Sequence, residues 1–477
     1  MSTDPNSSPS DIYEKLSRAG FEIAGEDQLT SLKAKFPQFP AQDDEKRRLQ
    51  REWEDLLADL HIRTGTLLKT DTVSLLLGAG ASKECGGPLL STIPLSVELT
   101  LLDAGIKEGK VTPWLECFYL AVSRIDSAVR GAPLDHGAIV QRKNEIDSSA
   151  AKVLSVNFES LLSLLHGWRS AIPAAGGTLQ LDGVPAVNQH SSAIEECIRY
   201  ATSALARLCR LPVPGVGDSG FMAYKDLLRK VLMRPLNLKR ANVFTLNYDT
   251  LVEQAADAEG IVLLDGFVGS IRRTFRPESY DHDLYFPAET TEGRVHRLDR
   301  VLHLYKLHGS TTWTAEEPGW DNPYGVLAHG AELPDDSPVL IYPTPTKWGE
   351  ALGMPYAELL RRFAASIVRP QSVLFVVGYG FGDEHVCAIV RQAFAVPSFT
   401  LVIVDPDPQS DFVKRLRKQG DRRVWIFSDD TFGTFSGFVR HVFADLTDEG
   451  VRRKVMDTYK ALSHTQSQAL GKSGNSG

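Results

Sequence analysis

The sequence predicts an α/β fold with a doubly wound, mostly parallel sheet. The prediction rests on three apolar runs of strand length, each of which stops at a polar or glycine-rich tip. The runs with their tips are Val73–Leu77 before Gly78–Ser82, Val243–Leu246 before Asn247–Asp249, and Leu302–Leu307 before His308–Gly309. Ligands of doubly wound sheets bind outside the carboxyl ends of the strands, so the three tips are expected to meet in one crevice.

The first tip, Gly-Ala-Gly-Ala-Ser at positions 78–82, has the composition of a phosphate-binding loop. Its glycines would let the backbone approach a pyrophosphate, and the following helix would offer free N–H groups and the positive end of its dipole. Lys83 stands where a full dinucleotide-binding fingerprint has its third glycine. A tight strand-to-helix turn that binds nothing is therefore the alternative.

The other two tips carry side chains suited to catalysis. Asn247 and Asp249 follow the second strand, and Asp249 or Thr250 is the expected N-cap of the next helix. His308 follows the third strand and precedes a glycine. Taken singly, Asn247 is also compatible with a turn former, and His308 with an ordinary surface or core histidine.

The chain is predicted to have a helical extension, an α/β domain and a terminal helix. The expected parts are a disordered start with helices over 1–69, the α/β domain over 70–445, and a helix with a disordered tail over 446–477. A mainly helical insertion occupies 101–235. From 240 to 440, strands and helices are expected to alternate, with buried parallel strands at 261–264, 339–342, 373–377, 401–404 and 424–427.

An apolar stripe runs along the predicted helix Asp43–Leu67 and includes Leu49, Trp53 and Leu57. A stripe of this kind packs either on its own domain or on a neighbouring subunit. Because a helical arm before the first strand is not needed to complete the sheet, we predict a homo-oligomer to which Trp53 and Leu57 contribute.

Composition excludes several classes of function. The net charge of −8 argues against broad, non-specific nucleic-acid binding. The polar start, Met1 to Ser10, has no apolar core of a secretion signal, and no apolar run reaches the length of a membrane span. Five cysteines without framework spacing are typical of a reducing compartment, so we predict a cytoplasmic protein.

The ordered set of motifs resembles the SIR2 family of NAD-consuming enzymes. The matching segments are Gly78–Ser82 (GAGAS), Thr245–Asp249 (TLNYD), Lys306–Gly309 (KLHG), Gly378–His385 (GYGFGDEH), Leu401–Asp405 (LVIVD) and Asn157–Leu162 (NFESLL). The resemblance spans residues 70–440. It implies a Rossmann-like fold in which the helical insertion covers the NAD crevice.

The resemblance also implies roles for individual residues. His308 would act as general base or hydrogen-bond partner, Asn247 would position the ribose or water, and Asp249 would hold the nicotinamide carboxamide or fix its loop. The residues implied in cofactor binding are Gly78, Ala79, Gly80, Ala81 and Ser82 for the pyrophosphate, and Gly378, Tyr379 and Asp405 for the adenosine half. Asp383 and His385 are interpreted as structural helix caps rather than catalytic groups.

The cysteines decide between branches of this family. Protein-deacetylating sirtuins normally hold a structural zinc with two C-x-x-C pairs, whereas Cys85, Cys117, Cys197, Cys209 and Cys387 have no such spacing. This departure favours the zinc-free branch, whose members are typically NAD hydrolases in bacterial anti-phage defence. An external trigger is then expected, such as a phage protein or a HerA-like ATPase. The alternatives are an NAD-dependent deacylase or ADP-ribosyltransferase, and a subunit that senses NAD or ADP-ribose without turnover.

The cysteine spacing generates a prediction about metal. Purified protein should contain no stoichiometric zinc, and a chelator such as EDTA should leave its thermal unfolding unchanged. Elemental analysis and unfolding curves with and without EDTA measure this. One tightly held zinc per chain would revive the deacylase alternative.

Overall fold

The structure is a computed structural model of the 477-residue chain. It describes residues 8–89, 91–108, 110–125, 136–147, 154, 156–174, 191–215, 217–287, 295–330, 333, 339–341, 355–447, 450–456 and 458. Most of the predicted disordered start and the whole predicted tail, Ser463–Gly477, lie outside these residues. Among the described helices, none combines the length and the apolar character that crossing a bilayer requires.

The described strands belong to one large sheet and three smaller ones. They are β1 (Gly20–Ile23), β2 (Glu26–Asp27), β3 (Thr72–Leu77), β4 (Ile106–Lys107), β5 (Lys110–Val111), β6 (Asn242–Thr245), β7 (Val262–Leu264), β8 (Phe267–Val268), β9 (Arg273–Phe275), β10 (Tyr285–Pro287), β11 (Val295–Arg297), β12 (Val301–Lys306), β13 (Gly309–Ala315), β14 (Val326–Ala328), β15 (Val339–Ile341), β16 (Ser372–Val377), β17 (Phe399–Val404) and β18 (Val424–Ser428).

The helices cover both faces of the large sheet. They are α1 (Pro9–Ser17), α2 (Thr30–Lys35), α3 (Asp43–Leu67), α4 (Ala79–Ser82), α5 (Ile93–Gly105), α6 (Pro113–Ile125), α7 (His136–Asp147), α8 (Phe158–Ala174), α9 (Ser191–Cys209), α10 (Ser219–Leu232), α11 (Leu251–Glu259), α12 (Tyr356–Ile367), α13 (Glu384–Ala393), α14 (Asp411–Gln419) and α15 (Phe435–Gly437). Short 3-10 helices occupy Lys83–Cys85 and Pro277–Asp281, and π-helical turns occupy Asp429–Gly433 and Phe438–Val442.

The large sheet confirms the predicted α/β fold class. Its order is β2-β1-β18-β17-β16-β3-β6-β12-β7, and the pairings from β18 to β7 are parallel. The chain runs from β3 outward through β6 on one side, and from β16 outward through β17 and β18 on the other. The strand order therefore reverses between β3 and β16, where doubly wound sheets bind their ligands.

The central strand β3 shows why the sheet forms at this position. All six of its residues are buried. Leu75 and Leu77 point into the hydrophobic core on the α3, α10 and α11 face, whereas Leu76 joins the core on the α12 and α13 face. A continuous apolar run is what a strand covered by helices on both faces requires.

The beginning of the described chain corrects one prediction. The sequence predicts a disordered start followed by helices over residues 1–69, but Gly20–Ile23 forms β1, which pairs antiparallel with β18 and brings β2 with it. Phe21 stacks on Phe427 of β18 with ring centroids 4.6 Å apart. The segment before β3 therefore does extend the sheet, contrary to the premise of the oligomer prediction.

The stripe on α3 is buried by its own chain. Trp53 is 5% exposed and Leu57 is 7% exposed, and the Trp53 indole stacks on Phe432 with centroids 5.8 Å apart. The Thr64 hydroxyl donates to the carbonyl of Val442 at 2.8 Å and fastens the helix to the same layer. The prediction that Trp53 and Leu57 form a subunit contact is therefore wrong, because no face of either side chain remains for a neighbour.

The expected alternation of strands and helices from 240 to 440 breaks down between β7 and α12. Instead of a further parallel strand, residues 339–341 form β15 of a separate antiparallel sheet with order β15-β13-β14-β9-β8. The predicted Tyr342 end of that strand lies outside the described residues. Strand β13 of the small sheet begins one residue after His308, at Gly309, so this histidine lies on the turn that joins the two sheets.

Helices α5, α6, α8 and α9 pack into a hydrophobic cluster of their own. The buried Glu98 carboxylate accepts two hydrogen bonds from Arg142 of α7, at 2.8 and 2.9 Å, and one from the Tyr119 hydroxyl at 2.8 Å. This buried ion pair fastens α7 to the cluster. The start of α8 and the start of α5 face the carboxyl ends of the large sheet, which places this cluster over the site described below.

The burial of Trp53 generates a stability prediction. Trp53→Ala should lower the free energy of unfolding by about 3–5 kcal/mol, because a large aromatic side chain leaves a cavity against Phe432. Urea unfolding followed by circular dichroism measures the loss. The matched control is Asp55→Ala on the exposed face of the same helix, which should unfold like wild type. A folded Trp53→Ala variant of wild-type stability and smaller sedimentation coefficient would restore the subunit-contact hypothesis.

Candidate functional site

The three predicted tips meet at one cavity of about 350 Å³. It lies at the carboxyl ends of β3, β6, β12 and β16, beside the point where the strand order reverses. The residues that line it are Gly78, Ala79, Ser82, Pro88, Ser91, Ile93, Asn157, Phe158, Cys209, Leu246, Asn247, Tyr248, Asp249, His308, Tyr379, Gly382 and Asp383. The volume is within the range of small-molecule sites.

The glycines of the first tip are needed for contact with another loop of the chain. The Gly80 N–H donates to the Gly378 carbonyl at 2.8 Å, and the Gly78 N–H donates to Val377 at 2.9 Å. A Cβ on Gly80 would lie 2.7 Å from the Gly378 Cα, and Gly378 itself has φ +63°. The two turns after β3 and β16 therefore interlock backbone to backbone, and the expected contact of the first turn with a pyrophosphate stays a prediction.

The Asn247 side chain has a fixed orientation. Its Nδ2 donates to the Gly78 carbonyl at 2.9 Å and to the Ser82 hydroxyl at 2.8 Å. A backbone carbonyl only accepts hydrogen bonds, so the amide nitrogen must face Gly78. Both amide hydrogens are used within the protein, which leaves the carbonyl oxygen as the polar atom that Asn247 can offer to a ligand.

Ser82 is the centre of a buried hydrogen-bond network. Its hydroxyl donates to the Asp249 carboxylate at 2.6 Å, because an ionised carboxylate only accepts. A hydroxyl has one hydrogen, so the Tyr224 hydroxyl, 3.0 Å away, must donate to Ser82, as Asn247 does. The network uses the full hydrogen-bonding capacity of the Ser82 side chain. Its role here is to hold Asn247 and Asp249 in place.

Asp249 fixes the loop after β6. One carboxylate oxygen accepts from Ser82, and the other accepts from the Leu251 N–H at 3.1 Å, at the start of α11. The Lys306 ammonium donates to the Asp249 backbone carbonyl and forms an ion pair with Glu253 at 3.0 Å. Burial raises the pKa of Glu253, and Lys306 opposes that rise. Of the two roles considered for Asp249, these contacts support loop fixation.

His308 faces the cavity from the turn between the two sheets. Gly309, which follows it, has φ +92°, a conformation that turns the chain from β12 into β13 at low cost for glycine alone. The His308 Nε2 lies 3.0 Å from Oδ2 of Asp383, which precedes α13. The other oxygen, Oδ1, accepts from the N–H groups of His385 and Val386, so Asp383 caps α13 as the sequence predicted.

Some of the residues singled out in the sequence do not line the cavity. Of the described site candidates, Gly80, Ala81, Gly378 and Asp405 lie outside its lining. Asp405 follows β17, one strand further along the sheet, and accepts from the Asp407 N–H at 2.9 Å. Burial raises the pKa of Asp405. An adenosine position at this residue stays a prediction.

Sequence reasoning did not single out several residues of the site. Tyr224 on α10 and Cys209 at the end of α9 come from helices, where no local motif marks them. Burial and the nearby Asp249 raise the pKa of the Cys209 thiol to about 12, so it stays protonated at neutral pH. The hydrogen bond between Asp383 and His308 was also missed, although its segment, Gly378–His385, was recognised as a motif.

No metal ligand set is found in the described part of the chain, where no group of three or more histidine, cysteine, aspartate or glutamate side chains is arranged to hold an ion. All five cysteines are free thiols, of which four are buried and Cys85 is partly buried. The zinc prediction made from their spacing remains a prediction for measurement.

A comparison with protein families matches residues 241–423 to the SIR2-like domain. The matched range contains Asn247, His308 and Asp383, and it begins after the Gly78–Ser82 turn. This match supports the resemblance that the sequence motifs indicated. No curated protein matches the chain significantly.

Two solved structures are similar to this chain at low identity. One is a Sir2 homologue in complex with NAD, which is 12% identical to this chain and superposes with a TM-score of 0.38. The match covers 84% of this chain and 94% of the homologue. A serine-to-alanine mutant of a Sir2 homologue in complex with ADP-ribose is 12% identical, covers 78% and 96%, and has a TM-score of 0.28. Both superpositions are loose.

The interlocked turns generate a second stability prediction. Gly80→Ala should destabilise the fold by about 1–3 kcal/mol, because the added methyl group would clash with the backbone of Gly378. Backbone atoms cannot move aside as the end of a flexible side chain can. The control is Gly380→Ala in the same loop, where an added Cβ has no neighbour within 4 Å. Thermal unfolding compares the two. Equal melting temperatures for both variants would mean that the two turns are not in contact.

Proposed function

We propose that this protein hydrolyses the glycosidic bond of NAD and releases nicotinamide and ADP-ribose. The observation that carries the proposal is the placement of Asn247, Asp249 and His308 at the ends of neighbouring parallel strands, around one cavity beside the Gly78–Ser82 turn. The order and identity of these residues resemble the SIR2 family, and the match of residues 241–423 supports the resemblance.

The proposed reaction develops positive, oxocarbenium-like charge on the nicotinamide ribose. Nicotinamide leaves as a neutral molecule, so no acid has to protonate it. The site therefore has to hold the ribose, admit one ordered water and exclude the rest. A cavity with a wall of apolar groups, among them Ile93, Phe158 and Leu246, suits the exclusion of water.

The polar groups of the cavity bind the ribose and the water, accept the proton and contact the pyrophosphate. The Asn247 carbonyl oxygen accepts a hydrogen bond from a ribose hydroxyl or from the attacking water, because its amide hydrogens are committed to Gly78 and Ser82. His308 acts as general base toward the same groups. The backbone at Gly78 and Ala79 faces the cavity and is the part of the first turn that can approach the pyrophosphate.

The same nucleotide groups would serve a deacylase or an ADP-ribosyltransferase, which add an acceptor to the reaction. Purified protein should therefore be incubated with NAD alone and with NAD plus an acylated peptide. Release of nicotinamide without a peptide supports the hydrolase. Release that requires the peptide, with loss of its acyl group, identifies a deacylase. NAD binding without any release, in the protein alone and in cells challenged with phage, identifies a sensor.

The biological setting belongs to the same proposal. Unregulated loss of NAD would kill the host cell, so a hydrolase of this kind must be silent until it is triggered. We propose an effector of bacterial anti-phage defence that an external partner activates, such as a phage protein or a HerA-like ATPase. The assay is therefore done both on the protein alone and in cells challenged with phage, with NAD measured in each.

The catalytic assignment predicts the effect of two substitutions. His308→Ala and Asn247→Ala should each lower the rate of nicotinamide release by about 10²–10⁴-fold, the usual contribution of a positioned catalytic group. The control is His385→Ala, which removes an exposed imidazole near the same site. Circular dichroism checks that each variant is folded. A folded His308→Ala variant with wild-type turnover would refute the assignment.

A further inference from the structure

The Asp383 carboxylate makes two different contacts at once. Its Oδ1 accepts from the N–H groups of His385 and Val386, at 2.8 and 3.2 Å, at the start of α13. Its Oδ2 lies 3.0 Å from the Nε2 of His308. A helix cap needs only the first oxygen, and serine or asparagine supplies that contact equally well. The second oxygen is therefore available for another purpose.

The loop before Asp383 holds the carboxylate firmly. The Asp383 N–H donates to the Tyr379 hydroxyl at 2.9 Å. Between them, Phe381 has φ +56°, which costs energy for a residue with a side chain, and its ring stacks on Phe412 with centroids 4.7 Å apart. Strain of this kind persists only where the surrounding packing enforces it. The backbone of this loop therefore holds the Asp383 carboxylate in a fixed position next to His308.

The pair is largely shielded from water. The side chain of His308 is 11% exposed and that of Asp383 is 18% exposed. Burial by itself would raise the pKa of Asp383, but the hydrogen bond and charge of His308, together with the N–H groups of α13, hold that pKa below its usual value. The carboxylate therefore stays ionised next to the imidazole and can only accept from it.

We propose that Asp383 is a positioning residue for His308, a role that rests on the proposed function of His308 as general base. The carboxylate fixes the plane of the imidazole ring and keeps a proton on Nε2. In the neutral ring, Nδ1 is then the basic nitrogen. When His308 takes a proton from a ribose hydroxyl or water, the adjacent carboxylate stabilises the imidazolium that forms.

Two substitutions separate this role from capping. Asp383→Asn keeps an oxygen for the N–H groups of α13 and turns an NH₂ group toward His308, so the ring has to accept at Nε2 and carry its proton on the other nitrogen. Asp383→Ser keeps the cap and removes the carboxylate. The control is Ser410→Ala, which removes the cap of α14, where the Ser410 hydroxyl accepts from the Val413 N–H.

The first measurement is steady-state kinetics of nicotinamide release. Asp383→Asn and Asp383→Ser should lower kcat by about 10²-fold or more with little change in KM, and both should melt near the wild-type temperature. Ser410→Ala should lose thermal stability and keep its kcat. Wild-type kcat in a folded Asp383→Asn variant would overturn the proposal, and so would an equal loss of kcat in Ser410→Ala.

The second measurement does not depend on activity. In protein labelled with ¹⁵N-histidine, the His308 ring is assigned by the signals lost in His308→Ala. The proton should reside on Nε2 in wild type and move to Nδ1 in Asp383→Asn. An unchanged tautomer would overturn the positioning role. If the wild-type protein releases no nicotinamide either alone or in cells challenged with phage, the proposed function fails, and the ¹⁵N spectra still decide whether Asp383 sets the state of His308.

Discussion

The contact between two glycine turns determines the shape of the whole site. The turn after β3 and the turn after β16 approach so closely that the Gly80 N–H reaches the Gly378 carbonyl. Side chains cannot fit between them, and this closeness brings Tyr379 and Asp383 to the same cavity as Asn247 and His308. The strand order reverses at this contact, which is why a cavity opens there.

Around that contact, the polar groups are matched donor to acceptor. Ser82 accepts from Asn247 and Tyr224 and donates to Asp249, and the Asp249 carbonyl in turn accepts from Lys306. A network of this kind is stabilising only when every member is satisfied, because a buried polar group without a partner costs about 1–3 kcal/mol. The orientation of the Asn247 amide therefore depends on Gly78 and Ser82 and, through Ser82, on Tyr224 of α10.

The sequence predicts the parts of this structure that short patterns encode. Continuous apolar runs identified β3, β6, β12, β16, β17 and β18, and the residues at their ends indicated which side chains meet. What it did not predict depends on distant partners. Gly20–Ile23 is a strand because β18 offers it a free edge, and the role of Ser82 depends on Tyr224 from a helix. The residues next to Asp383 indicated that it caps a helix. Its pairing with His308 was not predicted, because it joins residues 75 positions apart.

Gly20 of β1 pairs with Ser428 of β18, so the large sheet is complete only after the chain has been synthesised beyond residue 428. A chain leaving the ribosome completes β3, β6 and β12 long before β16, β17 and β18 emerge, and contacts between distant parts of a chain form slowly. Asn247 and His308 are therefore present in the nascent chain while the opposite wall, with Tyr379 and Asp383, does not yet exist. Synthesis of the last quarter of the chain sets the time at which the pocket can first close around a ligand.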